Sequence, residues 1–452
     1  MPWLLLTIAA HVIFFYIQIH ASSSSLERSD LSHHLSTTSI GHRRLDNVNS
    51  PRPRIYIYEM PDKYHDWKKF GDVSDSFYGL DQLFVQLLKA SPHWTNNTEE
   101  ADYFYVDAWM YWPQQDMVTL IKELKARGPW WDRKGGADHI FVITADPGRC
   151  HYPQVESFKA IFLHHFGKLR PPLNRCDLDV AWGAQCDDEM VAAEAALFRR
   201  TLSPRDMCHI PGQDMVVPPT CYEPHPAKEH TQKFLTPYIN KELQGVNRST
   251  LLFYSGKIDL DADKEWAKTR PWVDAGYSFG ARQTVYRMFK NYSGFSILDH
   301  HTHDSYWHRL STSVYCLAAA GWGWGGRMKV SVTRGCIPVI IQDGILVEFE
   351  EQLPMKEYAI RVPLWMVHKL PDILHTFIKS RRAAKMQEAM KCTWKLHWWR
   401  RPEGRAFEVV MCELKRRLLG KDAKISLNTD TCALDCGDGK QIMLNDISVN
   451  GV

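Results

Sequence analysis

YCLAAAGWGWGGRMKVSVTRGCIPVIIQD, Tyr315 to Asp343, reads as strand, glycine loop, short helix and second strand in one unit. Tyr315 to Ala318 is a short apolar run. Gly321 to Gly326 lets backbone approach a ligand closely, and Arg327 to Arg334 is long enough for about two helical turns before Gly335 stops it. Ile337 to Ile341 is apolar and β-branched apart from Pro338, as a parallel strand buried on both faces requires. In such α/β units ligands collect beyond the carboxyl ends of the strands, where unpaired amides attract anions. The unit is therefore a place for a diphosphate, with Gly323, Gly325, Gly326 and Arg327 as its candidate contacts and Asp343, emerging from the second strand, as a candidate grip on a ribose. Gly321, Gly323 and Gly326 also spell the dinucleotide fingerprint, so a nicotinamide oxidoreductase is a competing reading.

Alternation of strands and helices extends to both sides of this unit. Upstream, RIYIYEMP (Arg54 to Pro61), Ala101 to Met110 and the end of Trp130 to Asp146 read as strands, while Tyr78 to Ala90, Met117 to Lys125 and Val155 to Phe166 read as helices. Thr201 to Lys228, dense in proline and carrying DMVVPP, reads as a crossing. LLFYSG (Leu251 to Gly256) then opens a second series, with helices at Arg282 to Lys290, Leu370 to Lys391 and Glu403 to Leu419. The expectation is an α/β protein of two Rossmann-like domains facing a cleft, residues 54–225 on the acceptor side and 226–419 on the nucleotide side, followed by a polar tail at 420–452. At 452 residues and 44% hydrophobic, the chain can bury two cores.

The first 20 residues carry no Lys, Arg, Asp or Glu, and Pro2 to Ile19 is apolar, near the lower limit for crossing a bilayer. They read as a signal-anchor or a signal peptide. Residues 21–53, rich in Ser, His, Arg and Pro, read as a stem. This implies entry to the secretory pathway, with a lumenal body anchored by its amino end, or secretion if the leader is cleaved. Three glycosylation acceptors, Asn96, Asn247 and Asn291, agree with that side of the membrane. Eleven cysteines allow disulfides there but leave one unpaired within the chain. Cys316 and Cys336, in apolar contexts flanking the glycine loop, read as buried small hydrophobes. The formal net charge of +3, with Lys and Arg dispersed, gives no nucleic-acid footprint.

RIYIYEMP, TNNTEEADYFYV, WWDRKGGADHIFV, DMVVPP, LLFYSG, the arginine helix at Arg282 and SVYCLAAAGWGWGGR running into GCIPVIIQD, in this order, resemble the exostosin-like glycosyltransferases from about Arg54 to Glu413. The resemblance implies the GT-B arrangement of two Rossmann-like domains. It also implies a Golgi-lumenal site and inverting transfer from a nucleoside diphosphate sugar, usually a uridine one, to a polysaccharide or glycan acceptor. The sequence shows no need for a metal or other cofactor, and a partner glycosyltransferase is a possible associate. One departure stands out: where many relatives carry an acid five positions before the glycine of GCIPV, this chain has Val330. Asp343 or Glu350 would have to replace that ribose contact, and a catalytically silent, glycan-binding member of the fold is the alternative.

Transfer with inversion needs a cationic site for the leaving diphosphate and a base facing the acceptor hydroxyl. Arg327 and Arg282 are the candidate cations. Asp146, closing HIFVITAD, is the first candidate base and Asp107, closing YFYVD, the second. Trp322 and Trp324, inside the glycine loop, are candidates for stacking on sugar rings. DHHTHD (Asp299 to Asp304) lacks the spacing of a zinc site, and Asp177 to Asp179 reads as a solvated loop.

Overall fold

The computed structural model describes residues 52–65, 71–110, 117–152, 158–169, 208–225, 227–240, 245–260, 277–302 and 305–419, and the backbone of 434–435 and 441–442. The leader, nearly all of the stem, Asp177 to Asp179 and most of the tail lie outside them. No described helix is long and apolar enough to cross a membrane.

Two parallel sheets organise residues 52–419. The first consists of β1 (Ile55–Glu59), β2 (Trp94–Thr95), β3 (Tyr103–Asp107), β4 (His139–Ile143), β5 (Ile161–His164) and β7 (Met215–Val216), in the order β2-β1-β3-β4-β5-β7. Its central strands β4 and β5 are buried throughout because α1 (Leu80–Lys89) and α2 (Met117–Ala126) belong to two separate apolar clusters, one built around Ile55, Tyr103 and Ile140 and one around Tyr58, Phe104 and Phe141. The strand β5 corrects an expectation. Periodicity predicts a helix over Val155 to Phe166, but Ile161 to His164 pairs in register with β4, Ile140 opposite Ile161. A four-residue apolar run fits either period, and burial between two strands decides it.

The second sheet comprises β8 (Thr250–Ser255), β9 (Phe295–Leu298), β10 (Ser313–Ala318), β11 (Ile337–Ile340) and β13 (Ile360–Arg361), in the order β13-β11-β10-β8-β9. Strand order reverses between β8 and β10, which leaves a crevice at their carboxyl ends. Helices α3 (Ala281–Phe289), α4 (Ser305–Ser311) and α5 (Arg327–Thr333) follow β8, β9 and β10. Gly335, at φ +67, ends the α5 turn as the sequence indicates. The helix expected at Leu370 to Lys391 divides at Arg381, φ +58, into α6 (Leu370–Lys379) and α7 (Arg382–Thr393).

Several contacts join the halves. β6 (Gly167–Lys168) pairs antiparallel with β12 (Ile345–Leu346). The buried ammonium of Lys329 on α5 donates to Glu223 in the proline-rich crossing, and Glu223 also accepts the Trp399 and Arg400 amides at 2.9 Å. Helix α8 (Ala406–Leu419), expected in the second half, packs instead on the first sheet, where Ala406, Phe407 and Val410 share a cluster with Ile55 and Phe84. Cys316 and Cys336 form a disulfide beneath the glycine loop rather than standing as separate thiols, and Cys150 bonds Cys208. Cys221 is buried and unoxidised.

Candidate functional site

A cavity of about 460 Å³ opens at the carboxyl ends of β8 and β10, with Phe77, Tyr78 and Asp146 of the first half on the facing wall. Arg327, the first residue of α5, lies under it. Its guanidinium donates to the Ser255 carbonyl at 2.8 Å and rests over the Tyr254 ring at 4.6 Å. Gly256, at φ +145, follows β8 there because a Cβ would stand 2.3 Å from the Arg327 Nη2. Arg282, on the first turn of α3, is 3% exposed and donates to the carbonyls of Lys257 and Ala319 and to the Tyr277 hydroxyl. Burial, with Arg327 beside it, pulls its pKa down from the usual guanidinium value. Its approach is set by a turn in which Ser278, Phe279 and Gly280 are all left-handed, a conformation the first two adopt only under strain.

Among the described residues neither guanidinium has a carboxylate partner, and the Arg282 Nε is buried without any hydrogen-bond partner. A buried and a half-buried positive charge, balanced by carbonyls and aromatic faces, form a site suited to an anion.

Opposite them, Asp146 follows β4 and accepts the Tyr78 hydroxyl on Oδ1 at 2.9 Å. The glycine loop meets this residue directly: a Cβ on Gly323 would stand 2.1 Å from the Asp146 carbonyl oxygen. Gly323 therefore joins the halves, whereas Gly325 and Gly326 line the cavity. Trp322 and Trp324 both line it too. Trp322 lies edge-on to Tyr277 with ring centres 5.1 Å apart.

Three sequence candidates fall elsewhere. Asp107 ends β3 with its carboxylate 3.4 Å from the His65 ring, off the cavity wall. Asp343 accepts the Leu364 amide on both oxygens, capping the 364–369 turn. Glu350 pairs with Arg361 and accepts the Val347 amide. Both ribose candidates are thus spent on local structure, and Val330 forms part of the cavity wall beside Tyr222, Tyr306 and Trp307. These aromatic residues and Tyr78 were missed. Tyr78 heads a periodic apolar helix, and the others lie in unpatterned loops or on a short helix, so nothing in spacing distinguishes them from core. The expected acceptor asparagines Asn96, Asn247 and Asn291 are all exposed.

His164, His209 and Asp214 lie close enough to suggest a metal centre. Their hydrogen bonds are already saturated. The Phe166 amide donates to His164 Nδ1, so Nε2 of that ring carries the proton toward His209 Nδ1 at 3.2 Å, and His209 Nε2 meets Glu351 at 2.8 Å. Asp214 takes Arg149 on both oxygens and the Ile210 and Phe162 amides as well. The donor set is a structural relay with no lone pair left for a cation.

The family model of the exostosin GT47 domain matches residues 49–377. The chain belongs to the exostosin GT47 family. It is a glycosyltransferase of that family. A relative in Oryza sativa subsp. japonica named as a probable glucuronosyltransferase is 27% identical over 395 residues, covering 83% of this chain and 82% of its own length. One in Arabidopsis thaliana named as a probable beta-1,4-xylosyltransferase is 26% identical over 407 residues, with 84% and 86% covered. Among solved structures, the pneumococcal O-GlcNAc transferase GtfA in complex with UDP and GlcNAc aligns at 10% identity and a TM-score of 0.30 over 63% of this chain and 57% of that one, too remote to carry any detail across.

Proposed function

We propose that this exostosin-type glycosyltransferase takes a sugar from a uridine diphosphate sugar and transfers it, with inversion, to a hydroxyl of a polysaccharide or glycan acceptor, in a GT-B arrangement. The observation that carries the reading is the pair of guanidiniums on the cavity wall, Arg282 buried and Arg327 half-buried, without carboxylate partners among the described residues at the crevice between β8 and β10. The diphosphate sits against them and its developing charge is stabilised as the bond to the anomeric carbon breaks. Asp146 takes the proton of the attacking hydroxyl from the opposite wall, held toward the cavity by Tyr78. No metal ion enters this scheme.

The disulfides Cys150–Cys208 and Cys316–Cys336 support an oxidising compartment, and with the apolar leader they support a Golgi-lumenal body anchored by its amino end. A partner transferase in the same membrane is compatible with this placement. The xylosyl and glucuronosyl names of the relatives make UDP-xylose and UDP-glucuronate the first donors to try. The test is UDP binding by calorimetry, followed by acceptor-stimulated UDP release. Absence of UDP binding by wild-type protein overturns the reading, and binding without turnover marks a silent member of the fold.

A further inference from the structure

Phe77 is a large apolar side chain left open to water in a loop that is otherwise firmly tied. It is 39% exposed and lines the cavity on the wall of the first half, one residue before Tyr78. On one side of it, Lys228 donates to the Asp75 carboxylate at 2.6 Å and to the Asp72 carbonyl at 3.0 Å, and the His225 ring meets the Asp72 carboxylate at 2.9 Å. Arg400 donates to the Ser74 hydroxyl and Thr220 to the Ser76 carbonyl, each at 2.7 Å. On the other side, Tyr78 donates to Asp146. A single exposed apolar residue is ordinary on a protein surface. Phe77 differs because its neighbours in the chain are pinned so that the ring stays at a cavity wall instead of turning into the core.

The ring itself is also supported. Tyr222 lies at a right angle to it with ring centres 5.1 Å apart, and Trp324 packs against it at 5.8 Å. Both line the same cavity, and Tyr222 is held there in a left-handed conformation, φ +64, which a tyrosine adopts only under strain. An aromatic surface fixed in advance and open to a cavity suits a flat, partly apolar ligand. A pyranose whose substituents are all equatorial is such a ligand, because its axial C–H bonds form an apolar face that packs on a ring. Position separates the acceptor sugar from the nucleotide. Phe77 belongs to the first half and shares its loop with Tyr78, which holds the proposed base, whereas both guanidiniums belong to the second half.

We propose that Phe77 is the platform for the acceptor: the sugar to be extended lies with its ring face on the phenyl group and its reacting hydroxyl at Asp146. The assignment rests on the sugar-transfer reading and adds an acceptor class to it, a chain of all-equatorial pyranoses. The pinned loop sets the ring before the acceptor arrives, so little side-chain freedom is lost on binding.

The experiment titrates UDP, and then β-1,4-xylotetraose and cellotetraose in the presence of saturating UDP, into the full chain and three variants. Phe77→Ala removes the side chain beyond Cβ, Phe77→Leu keeps an apolar group without a flat face, and Phe77→Trp keeps the face. Wild type is expected to bind at least one of the two oligosaccharides. Phe77→Ala and Phe77→Leu are expected to weaken that binding about 3- to 12-fold, with Phe77→Trp within about twofold of wild type and UDP affinity unchanged throughout. Wild-type oligosaccharide affinity in Phe77→Ala or in Phe77→Leu overturns the proposal. Weakened UDP binding in Phe77→Ala also overturns it, since the ring would then serve the nucleotide. Binding of UDP without either oligosaccharide in wild type overturns it as well and leaves the donor reading standing. Failure of wild type to bind UDP defeats the donor reading and the platform together.

Discussion

Replacing Gly323 by alanine tests the joint between the glycine loop and the proposed base. The added Cβ would stand 2.1 Å from the Asp146 carbonyl oxygen and 2.8 Å from its carbon, where no Cβ is found closer than about 3.0 Å. Backbone conformation is not the obstacle, because Gly323 is not left-handed. The obstructing atom is main chain, so it cannot rotate away as a side-chain tip would, and the carboxylate of the same residue is held by Tyr78. Overpacking of this kind costs about 1–3 kcal/mol. If the loop gives way, Arg327 and Asp146 separate, and kcat/KM falls about 5- to 150-fold at one decade per 1.36 kcal/mol. If the fold gives way, the same energy is lost from the urea unfolding free energy. Gly326→Ala is the control: its Cβ would meet its nearest atoms, on Tyr222, Cys221 and Pro219, at 3.6–3.7 Å, an ordinary contact. Unfolding free energy and kcat/KM are measured for both variants. Equal values of both quantities for Gly323→Ala and wild type would refute the reasoning, because the halves could then not be in contact at this point in solution.

Arg327→Lys should weaken UDP binding by about tenfold or more, since an ammonium cannot both reach the Ser255 carbonyl and present a planar fork; calorimetry reads it. Asp146→Asn should lower kcat about 10²- to 10⁴-fold while UDP affinity stays near wild type. Serine at both Cys316 and Cys336 opens a loop spanning 20 residues and should cost about 3 kcal/mol in the chain-entropy account, read by urea unfolding under oxidising conditions. Acid should destabilise the protein through His164 and His165. Burial depresses both in the folded state, so the unfolded chain binds more protons, and stability present above the ordinary histidine pKa near 6.5 is lost as pH falls below it. For His165, with a folded value of about 4, the loss between pH 7.5 and 5.0 is about 2 kcal/mol, and His165→Gln should remove that part of the pH dependence.

Most of the second sheet could be read from the sequence because its strands are near-continuous apolar runs and its glycines fall where the chain turns. The loop, α5 and β11 occupy almost the residues that periodicity assigns them. The first sheet was less legible at β5, where four apolar residues carry no period of their own. Arg327 and Asp146 line the cavity because each lies shortly after a strand, and Arg282 because it opens a helix beside it. Asp343 and Glu350 follow the same local logic, yet a turn amide and Arg361 claim them, and no spacing rule foresees such long-range competition. Tyr78 was invisible for the opposite reason: its bond to Asp146 depends on a single atom of a residue that otherwise looks like core.

Helix α8 returning to the first sheet has a consequence for synthesis. Ile55, Phe84 and Tyr105 share their apolar cluster with Ala406, Phe407 and Val410, so the first half cannot complete its core as it leaves the ribosome. Its apolar face must wait, open to water, until the whole of the second half has been translated. A nascent chain arrested before Ala406 should consequently remain protease-sensitive in both its β1 and β3 regions, and chaperones would meet this protein as a long-lived unfolded client.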